Sequence, residues 1–329
     1  MTRYTRQIAV PEFGTNGQEK LRAAKILVVG AGGLAAPVLQ YLVGAGVGHI
    51  TLVDHDQVAL SNLHRQTLFR EADIGQPKAE VAARHMAALN RDCTITALNI
   101  PLDPANAPDL CAGADLVLDC ADSFAASYVL SDVCKANGTP LISASIVGTS
   151  GYCGGFCGTA PSLRAVFPDL PDRLGSCDAD GVLGPAVGVM GALQAQMGLA
   201  ILAEIEPDPL GQLVTFDALG NRFGGFRFDG ASEPEDGFHF IAASDIAPTD
   251  TLTDLRAADE PGPALDGATR RTVADFDTPP LPDTGHRAVL ACRSGLRAWQ
   301  AATRLRQHWP GDIALIALGD GPNTIQGDD

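Results

Sequence analysis

This chain reads as two α/β domains, a large one over residues 1–230 and a small one over 238–329, joined by a short polar linker at 231–237. Three observations predict that division. Short apolar runs alternate with amphipathic runs through the first 150 residues, the pattern of parallel strands covered by helices. At 329 residues the chain is too long for one compact core. The composition then turns polar at ASEPEDG, residues 231–237, and strand and turn signals start afresh behind it.

The elements follow in order. From Lys25, KILVVG is an apolar strand, AGGLAAPVLQYLVGAGV a glycine-rich turn running into a helix, and HITLVD a second strand, together a βαβ unit. A helix-like run occupies about 77–90, with Pro77 at a favoured first-turn position. ADLVLDCAD reads as a strand ending near Asp122, a helix spans about 124–137, and TPLISASI is the next buried strand. Beyond Gly148 come glycine-rich strand-like segments and a polar loop at about 168–181. GPAVGVMGALQAQMGLAIL is a long helix whose small residues allow close packing, and QLVTFDALGNRFGGFRF is a hairpin. In the small domain DIAPTDTLTDLRAADE, RAVLACRSGLRAWQAATRLRQ and DIALIALGDG carry its own strands and turns.

Composition narrows the function classes. With 46% hydrophobic residues, 36 glycines and 22 prolines, the chain suits a globular protein rich in tight turns rather than disorder. A formal charge of -16 repels nucleic-acid backbones and anionic lipid surfaces, so any anionic ligand must be met by a few placed cations. No run of about 18 apolar residues lies free of turn signals, and the start MTRYTRQIAV lacks an apolar signal core, so a cytoplasmic address is expected. The 8 cysteines are then expected as reduced thiols. None forms a C-x-x-C pair, and Cys153 and Cys157 read as buried strand or turn positions.

Gly30, Gly32 and Ala35 form G-x-G-x-x-A, with Gly33 inside it, directly between a strand and a helix. Such a turn lets backbone N–H groups and the helix N-terminus face a pyrophosphate. Asp54 ends the next strand, where a carboxylate takes ribose hydroxyls. These features bind an adenine nucleotide without choosing it, and alone they favour a nicotinamide-dependent oxidoreductase slightly. Downstream stand Ser61, Asn62, Leu63, His64, Arg65 and Gln66, then Gly75-Gln76-Pro77-Lys78. Arg65 and Lys78 put two cations just after the nucleotide carboxylate of an acidic protein, which suits the larger charge of ATP.

The stretches RYTRQI, GAGGLAAPVLQYLVGAGVGHITLVDHDQVALSNLHRQTLF, GQPKAE and LVLDCADS closely resemble the ThiF/MoeB/HesA family, prokaryotic relatives of ubiquitin-activating enzymes, over about residues 3–228. The resemblance implies a Rossmann-like adenylation fold with a mixed sheet, a homodimer, and an acyl-adenylate made from ATP with release of pyrophosphate. Its substrate would be the C-terminal glycine carboxylate of a ubiquitin-like sulfur carrier of ThiS or MoaD type, ending in Gly-Gly. Carried over by position, Asp54 would hold the ribose, and Asn62, Arg65 and Lys78 the phosphates, with Gln66 beside them. Asp122 of D-C-A-D would hold magnesium, and Arg6 would reach into the partner subunit's ATP site. Asp119 is left as structural. Relatives carry a cysteine on a mobile crossover loop at the place of Cys177, where it can link covalently to the carrier. Many also bind structural zinc through two C-x-x-C pairs; here the first falls on Ser162 and Ala165 and the second is missing, so no zinc is expected.

Cys292 stands at a strand end in C-R-S-G-L-R, where a loop would turn successive N–H groups and a helix N-terminus toward the sulfur. Arg293 and Arg297 add positive charge. This loop and D-L-R-A-A-D-E at 254–260 resemble single-domain rhodaneses, while their H-I-x-G-A is reduced to Ala264-Leu265-Asp266-Gly267-Ala268, which leaves a non-catalytic docking module open. The resemblance implies sulfur transfer: a persulfide at Cys292, charged by a donor such as a cysteine desulfurase, replaces AMP, and a second thiol such as Cys177 releases the thiocarboxylate. Thiamine and molybdopterin pathways share this chemistry, so the carrier stays open. The competing readings are a nicotinamide-dependent oxidoreductase with a redox tail and a catalytically silent ATP-binding protein.

Overall fold

Burial decides where the strands form. In a computed structural model, which describes residues 2–170, 180–260, 262–277 and 286–319, the run Lys25–Val29 is β1, buried at every position but the first. Two helices precede it, α1 (Thr5–Ile8) and α2 (Gly14–Ala23). The chain continues through α3 (Ala35–Ala45), β2 (His49–Val53), α4 (Lys78–Leu89), β3 (Thr94–Leu98), α5 (Ala107–Cys111), β4 (Leu116–Asp119) and α6 (Phe124–Asn137). Then come β5 (Pro140–Val147), β6 (Ser150–Cys157), α7 (Leu163–Val166), α8 (Gly184–Ala203) and the hairpin β7 (Gln212–Asp217) and β8 (Arg222–Arg227). The described residues divide into two compact units, with the main boundary between Glu233 and Pro234.

The large unit holds a mixed sheet in the order β3-β2-β1-β4-β5-β6-β7-β8. From β3 to β5 neighbours run parallel, and from β5 to β8 they alternate. One face is packed by α3 and α8 through Leu39, Leu42, Met190 and Met197, the other by α6 and Phe156. Gly191 shows why α8 is built from small residues: a Cβ there would overlap the Leu34 carbonyl oxygen and the Pro37 ring at the start of α3. Among the described residues α8 is the one helix long and apolar enough to cross a membrane, yet more than half of that window is buried against this unit's own sheet and helices. Pro77 precedes α4 as its N-cap instead of opening its first turn. The edge strand β3 was not singled out from the sequence, because its T-I-T-A-L is only partly buried and lacks the apolar run of its neighbours.

The small unit is a parallel sheet of its own. β9 (His239–Phe240), β10 (Thr251–Asp254), β11 (Thr269–Arg270), β12 (Ala288–Cys292) and β13 (Ile313–Ala317) lie in the order β11-β10-β12-β13-β9. Val289, Ala291, Ala314 and Ile316 form one core face. The helix α9 (Leu296–Arg306) buries Trp299 and Leu305.

Candidate functional site

The strand order of the large unit reverses between β1 and β4, and the crevice at the carboxyl ends of two such strands is where open α/β sheets take ligands. Gly30 leaves β1 with φ +92°, and a Cβ on it would lie 2.7 Å from the carbonyl oxygen of Cys120 at the end of β4. Only glycine permits both the backbone turn and that approach.

Asp54 follows β2 and ties this turn to the next loop. Its Oδ2 accepts from the Ala31 N–H at 2.6 Å, and its Oδ1 accepts from the Asp56 N–H at 2.8 Å. Burial pushes its carboxyl above the ordinary value, while the Lys78 charge and the Ala31 N–H pull it back. Each oxygen keeps a lone pair for a ribose hydroxyl.

Lys78 opens α4 and is only 5% exposed. Its ammonium donates to Asp56 Oδ2 at 2.8 Å, and its N–H donates to the Asp56 carbonyl at 2.8 Å. Further along, the Val58 N–H meets the Gln76 carbonyl and the Gly75 N–H meets the Val58 carbonyl, both at 2.9 Å. These bonds lash segment 56–58 to segment 75–78. Sequence reasoning passed over Asp56; the signal available was its spacing in D-H-D, two residues after Asp54.

Arg65 and Gln66 border the glycine turn from the other side. A Cβ on Gly33 would stand 3.5 Å from Arg65 Cγ and 2.7 Å from Val187 of α8. The Arg65 guanidinium reaches the Ser61 carbonyl at 3.3 Å and the His64 ring at 3.0 Å. Asn62, half-buried, accepts the Arg65 and Gln66 N–H groups on its carbonyl at 3.1 and 2.9 Å, which sets both side chains' starting direction. Gln66 is 4% exposed, and its amide nitrogen lies 3.6 Å from where a Gly32 Cβ would stand. Its Oε1 is buried without any hydrogen-bond partner. A buried acceptor without a partner is the kind of group that a bound polar ligand can satisfy.

Asp122 is exposed in the loop from β4 to α6, and Ser123, not Asp122, is the N-cap of α6. An exposed carboxylate next to the phosphate turn suits magnesium, which takes few protein ligands and fills its shell with phosphate and water oxygens. Asp119 below it has no exposed surface. Its carboxylate accepts from Ser143 Oγ at 2.7 Å and the Ala121 N–H at 3.2 Å, and its carbonyl from Gln194 Nε2 of α8 at 2.7 Å. Burial pushes this carboxyl up to about 6.

The structure thus brings Gly30, Gly32, Gly33, Asp54, Arg65, Gln66 and Lys78 to the carboxyl ends of the interior strands β1 and β2, with Asp122 on the turn after β4. Arg6 stands apart, exposed on α1. That helix is fixed by Tyr4, whose hydroxyl donates to Asp92 at 2.9 Å and accepts from Asn90 at 2.8 Å, and by Gln7, which donates to the Ala45 carbonyl at 3.0 Å. Cys177 lies outside the described residues.

At the place of a zinc pair, Ser162 caps α7 by accepting from the Ala165 N–H at 3.3 Å. Its N–H and hydroxyl both donate to the Glu233 carboxylate, which also binds the Lys135 ammonium at 3.0 Å. Cys153 and Cys157 are buried in β6. Among the described residues no three His, Cys, Asp or Glu side chains gather as metal ligands.

In the small unit, Cys292 ends β12 with 0% exposure. Its Sγ accepts from the Gly295 N–H at 3.1 Å and the Ala298 N–H at 3.4 Å, a cradle formed by the left-handed Gly295 (φ +87°) and the first turn of α9. The Arg297 guanidinium hydrogen-bonds Glu260, and that contact, with the nearby Cys292 sulfur, raises its pKa further. Asp254 of D-L-R anchors the floor, accepting from Arg256 at 3.0 Å and Arg270 at 3.2 Å.

Comparison with known proteins gives the family. The ThiF family model matches residues 4–236. The adenylyltransferase and sulfurtransferase UBA4 of Yarrowia lipolytica is 44% identical over 211 residues, 62% of this chain and 52% of that protein. The sulfur carrier protein ThiS adenylyltransferase of Escherichia coli is 41% identical over 225 residues, covering 67% of this chain and 88% of that one. The chain spans about half the length of the UBA4 and MOCS3 relatives it matches. Among solved structures, E. coli MccB with ATP superposes with a TM-score of 0.61 at 22% identity, covering 69% of this chain and 71% of that one, a likeness of fold. The match across most of the chain and the ordered nucleotide turn lead to one assignment: this protein belongs to the ThiF family.

Proposed function

We propose that this chain is an ATP-dependent adenylyltransferase that activates the C-terminal glycine carboxylate of a ubiquitin-like sulfur carrier, and that the small unit transfers sulfur to the activated carrier. The observation that carries the first half is the glycine turn tied by its Ala31 N–H to Asp54, which leads through Asp56 to Lys78, with the buried Gln66 amide against Gly32. The names of the relatives, an adenylyltransferase for ThiS among them, support the same reading.

A carrier carboxylate oxygen attacks the α-phosphorus of ATP, the bond to the pyrophosphate bridging oxygen breaks, and pyrophosphate leaves. This in-line displacement needs positioning and charge neutralisation more than covalent help. Asp54 holds the ribose, the glycine turn offers N–H groups to the phosphates, and Lys78 and Arg65 offset their charge, with Asn62 and Gln66 setting the turn. Asp122 would hold magnesium, which would supply further neutralisation of the phosphate charge. Arg6 completes the site of a second subunit in a homodimer.

For the second half, residues 238–329 act as a rhodanese-like domain behind a linker at 231–237. A persulfide on Cys292, charged by a donor such as a cysteine desulfurase, attacks the acyl carbon and AMP leaves; a second thiol, for which Cys177 is the candidate, then cleaves the disulfide to free the thiocarboxylate. The cradle of Gly295 and Ala298 N–H groups and Arg297 stabilises the sulfur anion this requires. The test is pyrophosphate–ATP isotope exchange in the presence of carriers ending in Gly-Gly. Exchange that depends on the carrier supports the proposal; ATP binding without exchange for any carrier overturns it.

A further inference from the structure

The cation that opens α4 is not left to find its own position. Lys78 is 5% exposed, and among the described residues the one hydrogen-bond partner of its ammonium is Asp56, at 2.8 Å. The same aspartate holds the lysine by its backbone, carbonyl to N–H, at 2.8 Å. Asp56 is in turn fixed through its own N–H by Asp54 Oδ1, whose other oxygen holds the Ala31 N–H of the glycine turn. A continuous chain of contacts therefore runs from phosphate turn to ribose carboxylate to Asp56 to Lys78. Asp56 uses one of the three ammonium donors and leaves two for phosphate oxygens.

We propose that Asp56 is a positioning residue for adenylylation: it orders the Lys78 ammonium before the triphosphate arrives, so that its charge meets the transition state already oriented. This rests on the adenylyltransferase reading given above. A lysine stem has four rotatable bonds, and its freedom must be surrendered somewhere along the reaction unless the fold has done so beforehand. The half-exposed Asp56 carboxylate does so beforehand, at the cost of placing a negative group near the phosphates.

Those two effects act on different kinetic constants, which makes the proposal testable. Replacing the carboxylate by an amide removes a negative charge from the site, so ground-state attraction for ATP is unchanged or stronger. Loss of the anchor leaves Lys78 poorly oriented when charge develops on the pyrophosphate. For Asp56→Asn in the full chain, assayed by carrier-dependent pyrophosphate exchange with a mixture of ThiS- and MoaD-type carriers, the expected result is kcat lower by about tenfold with KM for ATP equal to or below that of the parent. Asp56→Glu, which keeps the charge, restores most of kcat. A parent-like kcat in a folded Asp56→Asn protein overturns the proposal while leaving the adenylyltransferase reading intact, as does a loss matched by a rise in KM. Should Asp56→Asn fail to fold, Asp56→Glu decides: kcat within about threefold of the parent supports the proposal, and a larger fall in folded protein overturns it. Absence of exchange in the parent with every carrier removes the adenylyltransferase reading, and the role of Asp56 with it.

Discussion

The hydroxyl of Ser143 donates to the carboxylate of Asp119 at 2.7 Å in a place where neither side chain has any exposed surface. The pair joins β5 to the end of β4 and sets the turn that carries Asp122. The Asp119 carboxyl, ordinarily near 3.8, is pushed by burial to about 6. Between those values the unfolded chain has released a proton that the native state keeps, so this group makes stability fall as pH rises from about 4 to about 6 and stay level above. Asp119→Asn keeps the acceptor for the Ala121 N–H and offers Ser143 a donor, but carries no such proton. Relative to the parent, the variant therefore gains about 2 kcal/mol between pH 4 and 7. Urea denaturation at several pH values measures this; a difference that does not change with pH contradicts it.

Arg65→Ala and Lys78→Ala each remove a preorganised positive group from the proposed phosphate site. Adenylylation falls by about 10²-fold or more in either, read by carrier-dependent pyrophosphate exchange. Melting temperatures separate the two: burial of the Lys78 side chain makes its truncation costly to the fold, whereas among the described residues the Arg65 guanidinium bonds only to its own loop. A near-normal exchange rate in either variant would undo the site assignment.

Cys292→Ala divides the two proposed activities. Pyrophosphate exchange continues at the parental rate, while mass spectrometry of the carrier shows no thiocarboxylate in a reaction supplied with a cysteine desulfurase. Thiocarboxylate formed at the parental rate would reduce the small unit to a docking module.

Glu233 closes the clasp formed with Ser162 and Lys135. Burial pushes its carboxyl up, but the Ser162 hydroxyl and N–H and the Lys135 ammonium outweigh this and hold it below the ordinary 4.5. Its stabilisation is present above that pH and is lost as pH falls through the native value. Because the group is substantially exposed, Glu233→Gln costs only about 1 kcal/mol at pH 7, with the difference shrinking below pH 4. Since this clasp occupies the position of a zinc pair in relatives, dialysis against EDTA should leave the unfolding midpoint of the parent unchanged. A fall in that midpoint would show a metal holding the fold.

Much of this architecture was legible because strand burial and helix periodicity are written in local residue order. The βαβ unit from Lys25 to Asp54, the helix at 124–137 and the hairpin after Gln212 all announce themselves in this way. Gly30, Asp54, Arg65 and Lys78 were singled out through chemistry tied to spacing, and the fold gathers them. Asp56 and Gln194 escaped because their roles depend on partners distant in the chain, at Lys78 and Asp119. Nothing in its immediate neighbours marks Gln194, and for Asp56 the one local sign is the D-H-D spacing from Asp54. Asp119 was seen but taken as structural, and only its complete burial shows that a charge there has energetic consequences.

The sulfur of Cys292 sits beneath its own loop with no surface open to solvent. The Gly295 and Ala298 N–H groups lie against it, so a reagent reaches that atom only through a local opening of the structure. Peroxide and alkylating agents then compete for a brief aperture instead of a standing target, and at high reagent concentration the modification rate levels off at the rate of that opening. Burial of this kind would spare the sulfur from oxidants for as long as the protein stays closed.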